Sequence, residues 1–248
     1  MPEDESILTR SAAPPDQVIA YGTDALQVAD VRHGGSRAVE RPLLALLHGG
    51  YWRPTIDRKH MGPMAVALGE AGWTVAAVEY RRVPGRPDLT VEDIALSLKT
   101  LPRELPQHDG RVIVVGHSAG GHLTLWAASK RTIPELHAAL ALAPVADLQL
   151  GDQLNLGNGA SLAFLGEEAN RRPDLDPKRM PSPAIPVTIV HGDEDEVVPV
   201  TVSESYVAAH PRTCLVKLRG VAHFALIDPE TNAWPAVVRA LDRLAGIR

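Results

Sequence analysis

Gly116-His117-Ser118-Ala119-Gly120, entered by the strand-like run of residues 111–115 and left by a helical pattern over residues 119–130, decides how this chain folds. A strand, a tight turn and a helix in immediate succession force two backbones together, and glycines at 116 and 120 leave room for the approach. A serine held between them can be kept in a strained conformation with its hydroxyl presented, the arrangement of a nucleophile elbow. Gly-x-Ser-x-Gly alone also describes ordinary turns into helices, because its residues are common. The rest of the chain has to choose between the two readings.

Short apolar runs cover residues 43–47, 74–78, 112–115, 138–142, 187–190 and 215–218, most of them separated by helix-length segments. Helices are expected over residues 61–71, 91–101, 119–130, 202–209 and 234–244, with Gly72 closing the first and Pro211 stopping the fourth. Continuous apolar strands alternating with helices imply a mostly parallel sheet covered on both faces, an α/β fold. Residues 17–21 and 26–32, joined by Gly22-Thr23-Asp24, add an N-terminal hairpin. Residues 147–186 break the alternation. They are rich in Asn, Gly, Pro and charge around an apolar patch at Leu162-Ala163-Phe164-Leu165. They read as a cap-like insertion over part of a site; a surface excursion carrying one packing helix is the alternative. The whole of Met1–Arg248 is read as one domain, its first dozen residues mobile.

The 248 residues are 45% hydrophobic, ample for a large core, and the net charge of −5 is spread without a basic block. A small-molecule partner is expected, with no nucleic acid and no membrane surface. No motif speaks to oligomeric state. The acidic start lacks the basic and apolar pattern of a secretory signal, so a cytoplasmic location is expected. Cys214 is the single cysteine, which excludes an internal disulfide and a cysteine-based zinc site. It lies in a β-rich run and is expected to be a small core residue. The histidines lack His-Glu-x-x-His spacing, so neither a metal nor a cofactor is expected.

A serine hydroxyl is a weak nucleophile at neutral pH. It needs a base to take its proton and a third group to fix that base's tautomer. In a parallel sheet the loops after the strands' carboxyl ends share one edge, where ligands bind. The run 187–190 leads there into Asp193-Glu194-Asp195-Glu196, and the run ending at 218 leads into Arg219-Gly220-Val221-Ala222-His223. Of the ten histidines, only His223 combines that edge with a late chain position. The acidic run is also compatible with a solvated turn, or with a metal site for which no second ligand cluster is present. The pattern alone leaves open which carboxylate turns inward. His48-Gly49-Gly50-Tyr51-Trp52 follows the run 43–47 at the same edge. Backbone N–H groups of Gly49, Gly50 and Tyr51, with that of Ala119, would form an oxyanion hole; an ordinary glycine turn is the alternative. Tyr51 and Trp52, just past the glycine pair, are the candidate substrate-binding rings, although Trp52 would equally serve as core beneath the loop.

These residues together resemble the α/β-hydrolase superfamily over nearly the whole chain, from the hairpin to the last helix. His48-Gly49-Gly50-Tyr51-Trp52 with Gly116-His117-Ser118-Ala119-Gly120-Gly121-His122-Leu123 resembles the kynurenine formamidase (arylformamidase) branch in particular. Esterases like hormone-sensitive lipase usually carry a third glycine and an aspartate where this chain has Tyr51 and His117. The resemblance also selects the acid: in His-Gly-x-x-Asp-x-x-Val-Pro after the seventh strand the aspartate is Asp195, not Asp193. It implies a triad of Ser118, Asp195 and His223 and an acyl-enzyme. It also implies hydrolysis of N-formylkynurenine to kynurenine and formate, a step of tryptophan catabolism. A carboxylesterase acting on small acyl or aryl esters would use the same residues. A non-catalytic ligand-binding protein of this fold would typically lack one triad member. Arg53, Tyr51 and the insertion are the candidates for holding the far end of a substrate.

Overall fold

Leu43–Leu47 (β3) has every side chain withdrawn from solvent, because a central parallel strand is covered on both faces. In the computed structural model, which describes residues 3–130 and 133–247, this strand lies near the middle of an eight-stranded sheet. The strands are β1 (Gln17–Ala20), β2 (Val28–Arg32), β3, β4 (Val75–Val78), β5 (Val112–His117), β6 (Leu136–Leu142), β7 (Val187–Gly192) and β8 (Cys214–Leu218). Their order is β1-β2-β4-β3-β5-β6-β7-β8; the hairpin and its junction with β4 are antiparallel and every other pairing is parallel.

The period-two alternation of strand side chains divides the core into two layers. Leu43, Ala45 and Leu47 face a cluster built with α2 (Pro87–Glu104), α3 (Ala119–Ser129) and α6 (Thr201–Ala209). Leu44 and Leu46 face a second cluster built with α1 (Gly62–Glu70) and α7 (Trp234–Ala245). The helix expected from residue 91 begins at Pro87. A proline at the first position and Asp88 in the first turn are helix-start signals that outweigh the later onset of apolar periodicity. Within α2, Asp93 is fully buried and takes the Arg81 guanidinium and the Gln27 amide, locking helix to hairpin.

Two expectations are corrected. Cys214 is exposed, because β8 is the edge strand and this is its first residue. Within the expected mobile dozen, the described residues pack rather than trail: Ile7 is 1% exposed in the second core layer, and Arg10 makes a bidentate pair with Asp228 at 2.7 and 2.8 Å. Residues 147–186 form two short helices, α4 (Leu148–Gln153) and α5 (Ala160–Leu165), with 3-10 turns. They are anchored by Asp147, which accepts from Lys178, Ser205 and the Leu150 amide. Among the described residues no helix is long and apolar enough to cross a membrane.

Candidate active site

Ser118 sits between β5 and α3 at φ 57°, ψ −118°, a conformation that L residues rarely adopt. It is tolerated because the strand–helix crossing demands it. A Cβ on Gly116 would overlap the Gly120 carbonyl, and one on Gly120 would overlap the Leu47 carbonyl of β3. The Ser118 amide is held by the Leu142 carbonyl at 2.9 Å, while its hydroxyl has no hydrogen-bond partner among the described residues.

The loops after β7 and β8 carry the expected acid and base, Asp195 and His223. Of the carboxylates at 193–196 only Asp195 is buried. Its Oδ2 accepts from His223 Nδ1 at 2.6 Å, and its Oδ1 accepts the amides of Val197 and Val198 at 2.9 and 2.7 Å. Because a carboxylate only accepts, Nδ1 of His223 carries the proton and the Nε2 lone pair is free to act as a base. Burial alone would raise the Asp195 carboxyl. The hydrogen bonds from His191 and His223 outweigh it and hold the group well below the usual carboxylate range. Asp193 instead turns outward to cap the Gly220 amide at 2.7 Å. His117 packs its ring 4.4 Å from that of His223 and contacts the His223 carbonyl through Nε2 at 3.1 Å, so it backs that imidazole.

The loop after β3 is shaped by side chains beneath it. The His48 carbonyl accepts the Tyr80 hydroxyl at 2.6 Å, and the Gly49 carbonyl accepts His48 Nδ1 at 2.8 Å. In a trans peptide N–H and C=O point opposite ways, so pinning these two carbonyls turns the Gly49 and Gly50 N–H groups away from the core. Gly49 lies against the nucleophile; a Cβ there would be 3.0 Å from Ser118 Cβ. The N–H groups of Gly49, Gly50, Tyr51 and Ala119 have no acceptor among the described residues. Gly50, Tyr51 and Trp52 have φ of 102°, 51° and 53°, a run of left-handed backbone that holds the loop taut.

Under that loop is a buried ion cluster. Arg82 reaches both Glu79 and His48 Nε2, while Glu79 also accepts the amides of Tyr80 and Arg58 at 3.0 and 3.1 Å. Burial would raise the Glu79 carboxyl, but the His48 and Arg82 contacts win and lower it to about 2. Glu79, Tyr80 and Arg82 escape a reading of the sequence, where they resemble the polar end of a strand. The usable signal is that β4 ends at the same sheet edge as the motif loops.

Tyr51 and Trp52 diverge. The Tyr51 hydroxyl donates to the Val197 carbonyl at 2.8 Å, tying the loop after β3 to the Asp195 loop. Trp52 is 3% exposed and stacks on Phe164 of α5 at 4.6 Å. Both rings also line a cavity of about 190 Å³ between this loop and the insertion. Hollows of about 570 and 590 Å³ lie under the N-terminal segment and beside Pro183 and Pro211; Ser118, Asp195 and His223 line neither of these nor the cavity beside Tyr51 and Trp52, whose link to them runs through Gly49 against Ser118 and the Tyr51–Val197 bond. Among the described residues no cluster of three or more His, Cys, Asp or Glu is placed to hold a metal.

Comparison with known proteins agrees with this architecture. The model of the BD-FAE family matches residues 30–209. Kynurenine formamidase of Salmo salar is 31% identical over 137 residues, covering 52% of this chain and 46% of the fish protein. The chain thus spans about half the length of the curated relatives it matches first. The esterase Est2 of Thermogutta terrifontis superposes with a TM-score of 0.73 at 21% identity over 95% of both chains. Esterase B of Lactobacillus rhamnosis gives 0.72 at 19% identity, over 95% of this chain and 88% of the other. The fold is that of the α/β hydrolases.

Proposed function

The chain belongs to the BD-FAE family, and from that premise we propose that it is a serine hydrolase that removes a small acyl group through an acyl-enzyme on Ser118, with N-formylkynurenine as substrate. The observation that carries the reading is the 2.6 Å contact of His223 Nδ1 with buried Asp195, on the same sheet edge as a strained, unpartnered Ser118. His223 Nε2 takes the hydroxyl proton as Ser118 Oγ attacks the formyl carbon, and Asp195 stabilises the imidazolium. The negative charge that develops on the carbonyl oxygen is met by N–H groups of Gly49, Gly50, Tyr51 and Ala119, already aimed and without partners to give up. The imidazolium then protonates the departing arylamine. Water, deprotonated by the same imidazole, releases formate and restores the serine. No cofactor or metal enters these steps, and prolonged chelation is expected to leave the rate unchanged.

The formyl amide is supported by the kynurenine formamidase relative and by the small aromatic cavity flanked by Tyr51 and Trp52. A carboxylesterase reading is favoured by the esterase structures and shares every residue named above. Comparison of kcat/KM on N-formylkynurenine, p-nitrophenyl acetate and p-nitrophenyl octanoate separates the two. The first is expected to be the best substrate and the last a poor one. If the octanoate ester is fastest and N-formylkynurenine is untouched, the esterase reading replaces it. Failure of a fluorophosphonate to label Ser118 would leave only ligand binding. A cytoplasmic location belongs to the same reading.

A further inference from the structure

The arginines around the site are mostly committed. Arg58 pairs with Asp30, Arg81 with Asp93 and Arg82 with Glu79. Arg53 is different. It follows the strained Tyr51-Trp52 pair, its side chain lies toward solvent, and no carboxylate among the described residues is within ion-pair distance of it. Its guanidinium is nonetheless held: Nη2 donates to the Gly157 carbonyl of the insertion at 2.6 Å, and Cζ lies 5.7 Å from the centre of the Tyr51 ring. Gly157, at φ 56°, is pressed so closely on Tyr51 that a Cβ would lie 2.8 Å from the ring. The arm is therefore braced on two rigid neighbours, while most of its five N–H donors stay available.

Arg53 is also the one charged residue among those described as lining the cavity of about 190 Å³. Drug-sized ligands occupy roughly 300–1,000 Å³, so a space of this size suits a single ring. Its walls are mostly aromatic and apolar, Tyr51, Trp52 and Phe164 with Pro54, Pro84 and Ala163, and Asn158 adds an amide. An un-neutralised guanidinium beside such a cavity is a recognition element for a planar anion, because its fork matches a carboxylate bidentately.

We propose that Arg53 is a specificity residue that selects substrates whose leaving group is an aromatic ring bearing a carboxylate, the ring occupying the cavity and the carboxylate meeting the guanidinium. This rests on the hydrolase reading of Ser118 but not on the identity of the acyl group. The turnover test compares 3-carboxyphenyl acetate with phenyl acetate in the wild type, Arg53→Gln and Arg53→Lys. The ratio of kcat/KM, anionic over neutral, is expected to fall about tenfold in Arg53→Gln, through KM, and by less in Arg53→Lys. Added salt should shrink the wild-type ratio, since the pair is solvent-facing. Equal losses on both esters would reduce Arg53 to a brace for Gly157, and an unchanged ratio would equally overturn the proposal.

A second measurement does not need turnover. Titration of Ser118→Ala with 2-aminobenzoate and with 2-aminobenzamide should show tighter binding of the anion, a preference lost in Ser118→Ala combined with Arg53→Gln. If the anion is preferred and no ester or formyl amide is cleaved by the wild type, the hydrolase reading falls and the anion site stands. If cleavage is normal and the anion binds no better than the amide, the anion site falls alone.

Discussion

Of the buried carboxylate–histidine contacts, those of Asp195 with His223 and His191 and of Glu79 with His48, the Asp195–His223 and Glu79–His48 pairs put the same chemistry to opposite work. In the first, a single ring nitrogen is engaged by the carboxylate and the other is left free, so the histidine can receive and return a proton. In the second, both nitrogens of His48 are used: Nδ1 holds the Gly49 carbonyl, and Nε2 lies 3.1 Å from both Glu79 and Arg82. Arg82 lies against both Glu79 and His48 Nε2, so neither ring nitrogen of His48 is spare. A carboxylate opposite a histidine thus makes a base where one nitrogen is spare. It makes a backbone clamp where an arginine completes the set.

The contrast fails most visibly if the proton-transfer side is not essential. Ser118→Ala should fold normally and lose on the order of 10⁵-fold in kcat, leaving only the oxyanion hole and binding. Retained activity, or fluorophosphonate label on another residue, would remove the premise. Next, Asp195→Asn should lose on the order of 10³- to 10⁴-fold, since an amide favours the wrong tautomer and cannot support the imidazolium. Asp193→Asn, which disturbs only the Gly220 cap, should stay within a few-fold. Equal losses would reassign the acid.

The clamp side should give a smaller kinetic effect with a larger structural one. Glu79→Gln is expected to lower kcat by roughly ten- to a hundredfold with little change in KM, because oxyanion donors lose their aim while substrate binding is untouched. Arg82→Met removes the nearer of two arginines at buried Glu79, Arg58 remaining at 3.6 Å, and should cost about 1–3 kcal/mol of stability, read from denaturant unfolding. If Glu79→Gln instead changed the pH profile of kcat as Asp195→Asn does, the division of labour would be wrong.

The smallest effect is a pH dependence of stability. Burial depresses His60 and His122 to about 4, chiefly by desolvation. The unfolded chain therefore takes up protons near the ordinary histidine value of 6.5 that the fold refuses, and stability contributed above that pH is lost as pH falls toward 4. Glu79 adds a second window, from its ordinary 4.5 down to about 2, in which protonating the unfolded state removes the clamp's contribution. Urea unfolding at a series of pH values should show both. His60→Asn should flatten the upper window, and an unaltered slope would mean that the ring is solvated.

The strands were legible because a parallel strand buried on both faces needs an unbroken apolar run, and the runs at 43–47, 112–115 and 187–190 have no other use. Cys214 misled for the converse reason: an edge strand begins with solvent on one side, which a run of β-formers does not announce. Chain order singled out Ser118 and His223, and the structure places both in loops at one sheet edge. Asp195 was separated from its three acidic neighbours only by resemblance, because charge in a turn looks the same whether it faces water or a histidine.

Local composition and order thus determined the apolar strands and their helices, the strained turn at Ser118, and the loops that carry Asp195 and His223. Each is set within one strand–loop–helix unit. What only the tertiary structure decided are the relations between units: Glu79 and Arg82 at the end of β4 gripping the loop after β3, Tyr51 reaching Val197, and Trp52 closing on Phe164 of the insertion. The physical reason is sequence separation. Burial gives a charged side chain its meaning, and whether Glu79 meets water or His48 is set by which strands become neighbours, β4 beside β3 rather than beside the strand that follows it in the chain.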